Sequence, residues 1–303
     1  MSSAPLKILL LGKNGQVGWE LQRALSPLGE LRALDRSTAN LDAPESLRAL
    51  IRDYAPDIIV NAAAYTAVDK AESDRDSAQR VNGESLKVIS DEIKTLDGWL
   101  IHYSTDYVFD GTKDGAYVED DTTNPLSVYG SSKRDGELAI IASGCKHLIL
   151  RTSWVFASRG GNFAKTMLRL AGERDSLNVV ADQFGAPTSA ELIADITALA
   201  IYRIRHDAAL AARASGIYHL AASGETSWHG YAQFVIGSAA ARGFVLKASP
   251  ETVQPIPASA YPVPAARPQN SRLNTEKLRD LLGVQLPDWR YHVQRLVHEL
   301  PLP

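Results

Sequence analysis

The chain has 303 residues, 45% of them hydrophobic, with a net charge of -3 and a pI near 6.2. That length buries a large core in one large or two smaller domains, and the near-neutral charge argues against nucleic-acid binding by phosphate neutralisation. A single cysteine, Cys145, rules out an internal disulfide and fits a reducing cytoplasm, no apolar run is long enough to span a bilayer, and the stretch 8–11 is too short for a signal-peptide core.

In chain order, residues 7–11 read as a buried strand, 17–25 as a helix and 31–35 as a second strand. Within 44–54, Leu47, Leu50, Ile51 and Tyr54 recur at helical spacing. Residues 57–63 read as a strand, about 71–94 as one long helix, 99–104 as a strand, 128–142 as a helix and 147–152 as a strand. This alternation predicts an α/β fold, a doubly wound parallel sheet of Rossmann type with right-handed crossovers and helices on both faces. Ligands of such sheets bind outside the carboxyl ends of the strands. The second half is less regular. Helices are expected at 163–173, 191–205, 231–242, 275–282 and 289–300, and short strands at 177–181 and 216–220. Pro255, Pro257, Pro262, Pro264 and Pro268 make 255–268 an extended loop. The expected division is a dinucleotide-binding domain over 1–155 and a smaller mixed domain over 156–303, with 177–205 and 216–221 returning to the main sheet.

Gly12-Lys13-Asn14-Gly15-Gln16-Val17-Gly18 joins the first strand to the first helix. Its glycines allow a tight turn, close approach of backbone to a pyrophosphate, and contact between Gly18 and the sheet. The helix N-terminus then offers N–H groups and a positive dipole end to phosphate. A glycine triplet alone is weak; after a first strand and before a helix it is strong. Asp35 follows Gly15 by twenty residues, where an acid binds the adenosine ribose hydroxyls of NAD. Arg36 could instead hold a 2′-phosphate, and a solvated turn would explain both residues. Asn40-Leu41-Asp42 and Asn61-Ala62-Ala63-Ala64 follow later strands, where adenine and pyrophosphate would lie; the alanines equally suit tight packing.

Tyr129 and Lys133 stand at i and i+4 on one helix face. An ammonium beside a phenol lowers its pKa from roughly 10 and makes it a usable proton donor. Such pairs are common on helix surfaces; this one follows the strand that ends in Ser104-Thr105-Asp106, whose Thr105 hydroxyl could polarise a carbonyl beside the tyrosine. His102 and His219 lie in strands with no ligand at metal spacing, so buried hydrogen-bonded histidine is the expected reading.

The glycine loop, the Asn-Ala-Ala-Ala segment, the Ser-Thr-Asp turn and the Tyr-x-x-x-Lys pair resemble the extended short-chain dehydrogenase/reductase superfamily. Val68-Asp69-Lys70-Ala71-Glu72, Ser104-Thr105-Asp106-Tyr107-Val108-Phe109-Asp110-Gly111, Arg151-Thr152-Ser153-Trp154-Val155-Phe156, Asp182-Gln183-Phe184-Gly185-Ala186-Pro187-Thr188 and Arg267-Pro268-Gln269-Asn270-Ser271 resemble the dTDP-4-dehydrorhamnose reductase family within it. The resemblance covers nearly the whole chain. It implies transfer of hydride from NADPH or NADH to the C4 ketone of dTDP-6-deoxy-L-lyxo-4-hexulose, with no nucleic-acid or membrane partner. Tyr129 would be the proton donor, Lys133 would lower its pKa and hold the nicotinamide ribose, and Thr105 would orient the carbonyl. The implied cofactor residues are Gly12, Asn14, Gly15, Gln16, Val17, Asp35, Arg36, Asn40, Leu41, Ala62, Ala63, Ala64, Tyr65, Thr66, Tyr103, Tyr129 and Lys133. The second half would supply the sugar-nucleotide pocket, and Ser104, Thr105, Asp106, Trp154, Asn162, Phe163 and Arg267 are the implied substrate residues. Trp154 as plain core is the rival reading, as is a surface ion pair for Arg267. Some relatives are magnesium-dependent homodimers, with Glu20, Glu191 and Glu299 at matching positions here; helix carboxylates are more often solvated.

A dehydratase of this fold would carry Thr-Asp-Glu after the strand, whereas Tyr107 stands in the third position. A 4-epimerase shares the Tyr and Lys and differs by retaining its NAD tightly. A non-catalytic subunit, like the regulatory subunit of methionine adenosyltransferase, is disfavoured by the intact Tyr129–Lys133 pair.

Overall fold

The computed structural model describes residues 5–301. Among these residues, six parallel strands form the central sheet: β1 (Lys7–Leu11), β2 (Glu30–Leu34), β3 (Ile58–Asn61), β4 (Trp99–Thr105), β5 (Lys146–Thr152) and β6 (Gly216–His219). Their spatial order is β6-β5-β4-β3-β1-β2. The inner strands are near-continuous apolar runs because helices cover both faces. Alternate side chains point to opposite faces. Ile8 and Leu10 pack with Val60, Ile101, Leu148 and Leu150, and with Leu21, Ile193 and Ile201 from helices Gln16–Leu25 and Ala190–His206. Leu9 and Leu11 pack on the other side with Ile59, Leu100 and Ile149, against helices Glu45–Tyr54 and Ser85–Thr95. The strand order reverses between β1 and β3, and a doubly wound sheet opens its crevice at such a point.

The structure corrects several expected elements. The long helix expected over 71–94 is broken into Val68–Ala71, Arg75–Gln79, a wider π-helical turn at Arg80–Glu84, and Ser85–Thr95. Buried Asn82 explains the wide turn. Its side chain binds the backbone N–H and C=O of Tyr65 at 2.9 and 3.1 Å and the Ser132 hydroxyl at 3.0 Å. The helix Val128–Ser143 presses against this turn so closely that a Cβ on Gly136 would lie 2.1 Å from the Asn82 carbonyl oxygen. Residues 177–181 do not return to the main sheet: Leu177–Val180 pairs in parallel with Val253–Ile256. This ribbon closes a small separate core of Leu177, Val179 and Val253 with Met167, Ala232 and Ile236. The proline-rich stretch therefore begins as a strand rather than a loop; Pro255 is tolerated because a two-stranded ribbon has unpaired outer edges. Residues 216–219 do return, as edge strand β6. The helix expected from 231 starts earlier, as Trp228–Arg242, because the Ser227 hydroxyl accepts the Gly230 N–H at 3.1 Å and caps it there. Among the described residues, no helix is long and apolar enough to cross a membrane.

Candidate active site

A cleft of about 710 Å³ runs along the carboxyl ends of β1, β3, β4 and β5, within the range of roughly 300–1,000 Å³ usual for small-molecule sites. Every residue expected on the cofactor lines it.

At one end the glycine loop leaves no room for extra atoms. Gly12 has φ +85, and a Cβ there would meet Ala63 N at 2.6 Å. A Cβ on Gly18 would lie 2.0 Å from the Gly12 carbonyl oxygen. The backbone of Ala62 and Ala63 thus lies against the loop, and β1 and β3 meet across the switch point through backbone. Gly15 caps helix Gln16–Leu25 with no side-chain bond, which leaves first-turn N–H groups for an anion. Asp35 accepts from the Ser37 hydroxyl at 2.5 Å and its N–H at 3.0 Å, from Asn14 at 3.3 Å, and meets the Lys13 ammonium at 3.3 Å. The Ser37 bonds are the main reason its carboxyl is held down to about 2, so it is ionised at neutral pH. Arg36 is 80% exposed and stands 3.6 Å from Asp42, leaving its guanidinium accessible at the rim. This end has the anion cradle, the acid and the basic neighbour that a dinucleotide requires.

At the other end, Thr105, Tyr129 and Lys133 come together at the close of β4 and the start of helix Val128–Ser143. That helix is started by two caps: the Ser127 hydroxyl accepts from Gly130 at 3.2 Å and Glu72 accepts from Val128 at 2.9 Å. Burial pushes the Tyr129 phenol up to about 12; Asp106 adds to this, while a hydrogen bond with Thr105 opposes it. The expected lowering by Lys133 is therefore corrected for this state. Lys133 Nζ instead donates to the Tyr103 carbonyl at 2.6 Å and lies 3.0 Å from His102 Nε2. Burial also brings Lys133 down to about 8, against the pull of Glu137. Tyr129 thus holds its proton at neutral pH while Lys133 can exchange one.

Beside this group, Ser104 Oγ, Asp106 Oδ2 and Thr152 Oγ1 are buried without hydrogen-bond partners, and all three residues line the cleft. Burial lifts the Asp106 carboxyl to about 6, against bonds from Ser271 and Thr105. Unpaired buried polar atoms are costly and mark a place where a polar ligand completes the bonding.

The expected substrate residues divide. Ser104, Thr105, Asp106 and Trp154 line the cleft; Asn162, Phe163 and Arg267 do not. Trp154 adopts φ +49, uncommon for a bulky residue, and its ring stacks on Trp228 with centroids 3.6 Å apart and planes at 15°. It is both packing and cleft wall. Phe163 backs this stack at 4.6 Å from Trp228. Asn162 caps helix Phe163–Glu173 through Lys165 N at 3.1 Å and donates to Gln16 Oε1 at 3.1 Å, which ties the second half to the glycine loop. Arg267 forms a two-bond ion pair with Asp69 at 2.9 and 3.2 Å, so its charge is already met. The metal candidates Glu20, Glu191 and Glu299 lie near enough for their charges to interact, and each meets an arginine. Arg295 bridges Glu191 and Glu299 at 3.2 and 3.3 Å, Glu20 bonds Arg23 at 3.4 Å, and no metal-binding group of three or more acidic, His or Cys side chains occurs among the described residues. His219 Nδ1 lies 3.1 Å from two carbonyl oxygens, the buried role expected of it.

Sequence reading misses Trp228, Thr152 and Tyr107, which also line the cleft. Tyr107 sets its ring edge to Tyr129 at 5.6 Å. The Ser227 cap was the local signal for a helix opening at Trp228; nothing local pairs it with Trp154.

The family model of the RmlD substrate binding domain matches residues 6–301. A dTDP-4-dehydrorhamnose reductase of Burkholderia thailandensis is 51% identical over 295 residues, covering 97% of this chain and 99% of that protein. One of Escherichia coli K12 is 52% identical over 299 residues, covering 97% and 98%. The crystal structure of a dTDP-4-dehydrorhamnose reductase from Bacillus anthracis in complex with NADP has a TM-score of 0.87 at 30% identity, covering 98% of this chain and 100% of that one.

Proposed function

The chain belongs to the family of the RmlD substrate binding domain, and from that premise we propose that it reduces the C4 ketone of dTDP-6-deoxy-L-lyxo-4-hexulose to dTDP-L-rhamnose with NADPH or NADH. The observation that carries the reading is the single cleft, with a glycine-loop anion cradle at one end and Thr105, Tyr129 and Lys133 at the other.

The residues fit a dinucleotide: Gly12, Gly15 and the helix N-terminus would take the pyrophosphate, Asp35 and Arg36 the adenosine ribose and any 2′-phosphate, and Lys133 the nicotinamide ribose. The bound reduced nicotinamide supplies hydride. As negative charge develops on the ketone oxygen, Tyr129 delivers its proton there and Thr105 steadies the same oxygen. The proton is available because burial keeps the phenol protonated. Lys133 refills Tyr129 after each turnover. Ser104, Asp106 and Thr152 satisfy their unpaired atoms on the sugar hydroxyls, and Trp154 offers a flat face to the ring. Asp35 favours free ribose hydroxyls and Arg36 favours phosphate, so both cofactors serve, with kcat/KM values within about a thousandfold, or roughly 4 kcal/mol.

A coupled assay tests this reading. The dTDP-4-keto-6-deoxy sugar should oxidise NADPH or NADH in equal amount and give the C4 alcohol. Consumption of neither cofactor refutes it, as does interconversion of C4 epimers by enzyme that retains bound NAD.

A further inference from the structure

His102 is a buried titratable group that this chemistry leaves unused. It lies in the middle of β4 at 1% exposure, with Asn61 opposite it on β3 and Lys133 reaching it from helix Val128–Ser143. Lys133 Nζ is 3.0 Å from His102 Nε2. On the far side, His102 Nδ1 is 3.2 Å from Asn61 Nδ2. The orientation of the Asn61 amide follows from its other bond: Oδ1 accepts the Ala63 N–H at 3.1 Å, which only an oxygen can do. The amide therefore presents N–H to His102, and Nδ1 must accept. A neutral imidazole then carries its proton on Nε2, aimed at Lys133. The ring is neutral, since burial and the neighbouring Lys133 hold it well below the usual imidazole range. An Nε2–H opposite Lys133 suits an amine, whose lone pair accepts it. Against an ammonium it sets two donors face to face.

We propose that His102 is a positioning residue acting through Lys133: fixed by Asn61 with its proton on Nε2, it aims the Lys133 nitrogen and makes the ammonium quick to pass its proton to Tyr129. The inference rests on the reductase reading, in which each turnover takes one proton from Tyr129. The protons balance. The ketone gains hydride on carbon and the Tyr129 proton on oxygen; the phenolate regains a proton from Lys133; the Lys133 amine, held by Nε2–H, regains one from water through the cleft. His102 gains and loses none.

The other groups around Lys133 are accounted for. On its own helix, Glu137 lies one turn on and is bonded to Arg151 of β5 at 2.9 and 2.7 Å, and Tyr129 lies one turn back. Asp106 follows β4. From the π-helical turn packed on the helix, Arg80 is taken by Asp42 at 2.8 Å and Glu84 is exposed. Glu137 favours the ammonium; burial and the Nε2–H oppose it. Because reduction consumes a proton, kcat falls as pH rises through the Lys133 value of about 8.

Proton–nitrogen correlation NMR of the imidazoles reads the tautomer on the cofactor-free protein, with His102→Phe or His102→Gln supplying the assignment. The expected result is a protonated Nε2 and a bare Nδ1; a proton on Nδ1 overturns the proposal. Asn61→Asp presents only oxygens, so it should move the proton to Nδ1 and raise the alkaline limb of kcat by about one pH unit or more. In a His102→Phe background the same change should leave the limb in place. An equal shift there would mean that the carboxylate acts on Lys133 by charge alone, and would overturn the relay through His102. The tautomer is read without substrate, so a wrong substrate assignment shows in the coupled sugar assay and leaves this result standing.

Discussion

Gly12 and Gly18 shape one end of the cleft by leaving atoms out, whereas Ser104, Asp106 and Thr152 shape the other by leaving polar atoms unpaired. The glycine-loop end is backbone against backbone, and nothing in it can yield to an added carbon. The far end is side chain, and its walls, Trp154 stacked on Trp228, are large and replaceable without unthreading the sheet. One end is specified by shape and should fail in folding or cofactor binding when altered. The other is specified by chemistry and should fail in rate or substrate affinity while the fold stands.

Substitutions at the two ends can break or sharpen that contrast. The largest effect belongs to Tyr129→Phe, which keeps the ring and removes the proton: kcat should fall by about 10²–10⁴-fold while cofactor binding survives, read by steady-state kinetics and cofactor titration. Gly18→Ala forces a Cβ against the Gly12 carbonyl and should cost about 1–3 kcal/mol in thermal unfolding, with weaker binding of both cofactors. If it binds NADPH normally at wild-type stability, the shape argument fails. Trp228→Ala removes the support of Trp154, an aromatic contact worth roughly 0.5–1.5 kcal/mol, so substrate KM should rise roughly twofold to tenfold with cofactor KM unmoved. Arg36→Ala should have the smallest effect. An exposed charge of this kind is worth about 0.2–1 kcal/mol, so NADPH should weaken by less than about fivefold and NADH not at all in a binding titration.

The glycine-loop end is legible in the sequence because its requirements are local. A turn that admits no Cβ must be glycine, and an acid closing the second strand falls at a set distance. The Tyr129–Lys133 spacing is equally local, and its place after the Ser-Thr-Asp turn makes it stand out. The partners of Lys133 are not local. His102 and Asn61 meet through the register of β3 and β4, and the lowering of the Tyr129 pKa by Lys133 that sequence alone suggests is not among the influences on that phenol. Trp228 lies far from Trp154 in sequence, and only tertiary packing stacks them. Arg267 reads in the sequence either as a substrate cation or as half of a surface ion pair, and the fold makes the ion pair, because Asp69 comes to it from the other half. The break in the helix over 71–94 has the same origin: Asn82 must reach Tyr65 and Ser132, and no local propensity encodes that demand.

Hydride transfer across this one cleft is tested most directly by isotope. The enzyme is given reduced cofactor carrying deuterium at the transferable position of the nicotinamide, together with the dTDP-4-keto-6-deoxy sugar in ordinary water, and the product is read by NMR and mass spectrometry. One deuteron should appear at C4 of the sugar for each cofactor oxidised, with none when the label is placed in the solvent instead. Oxidation of the cofactor without label at C4, or label entering C4 from solvent, would contradict the reductase reading and the roles given to Thr105, Tyr129 and Lys133.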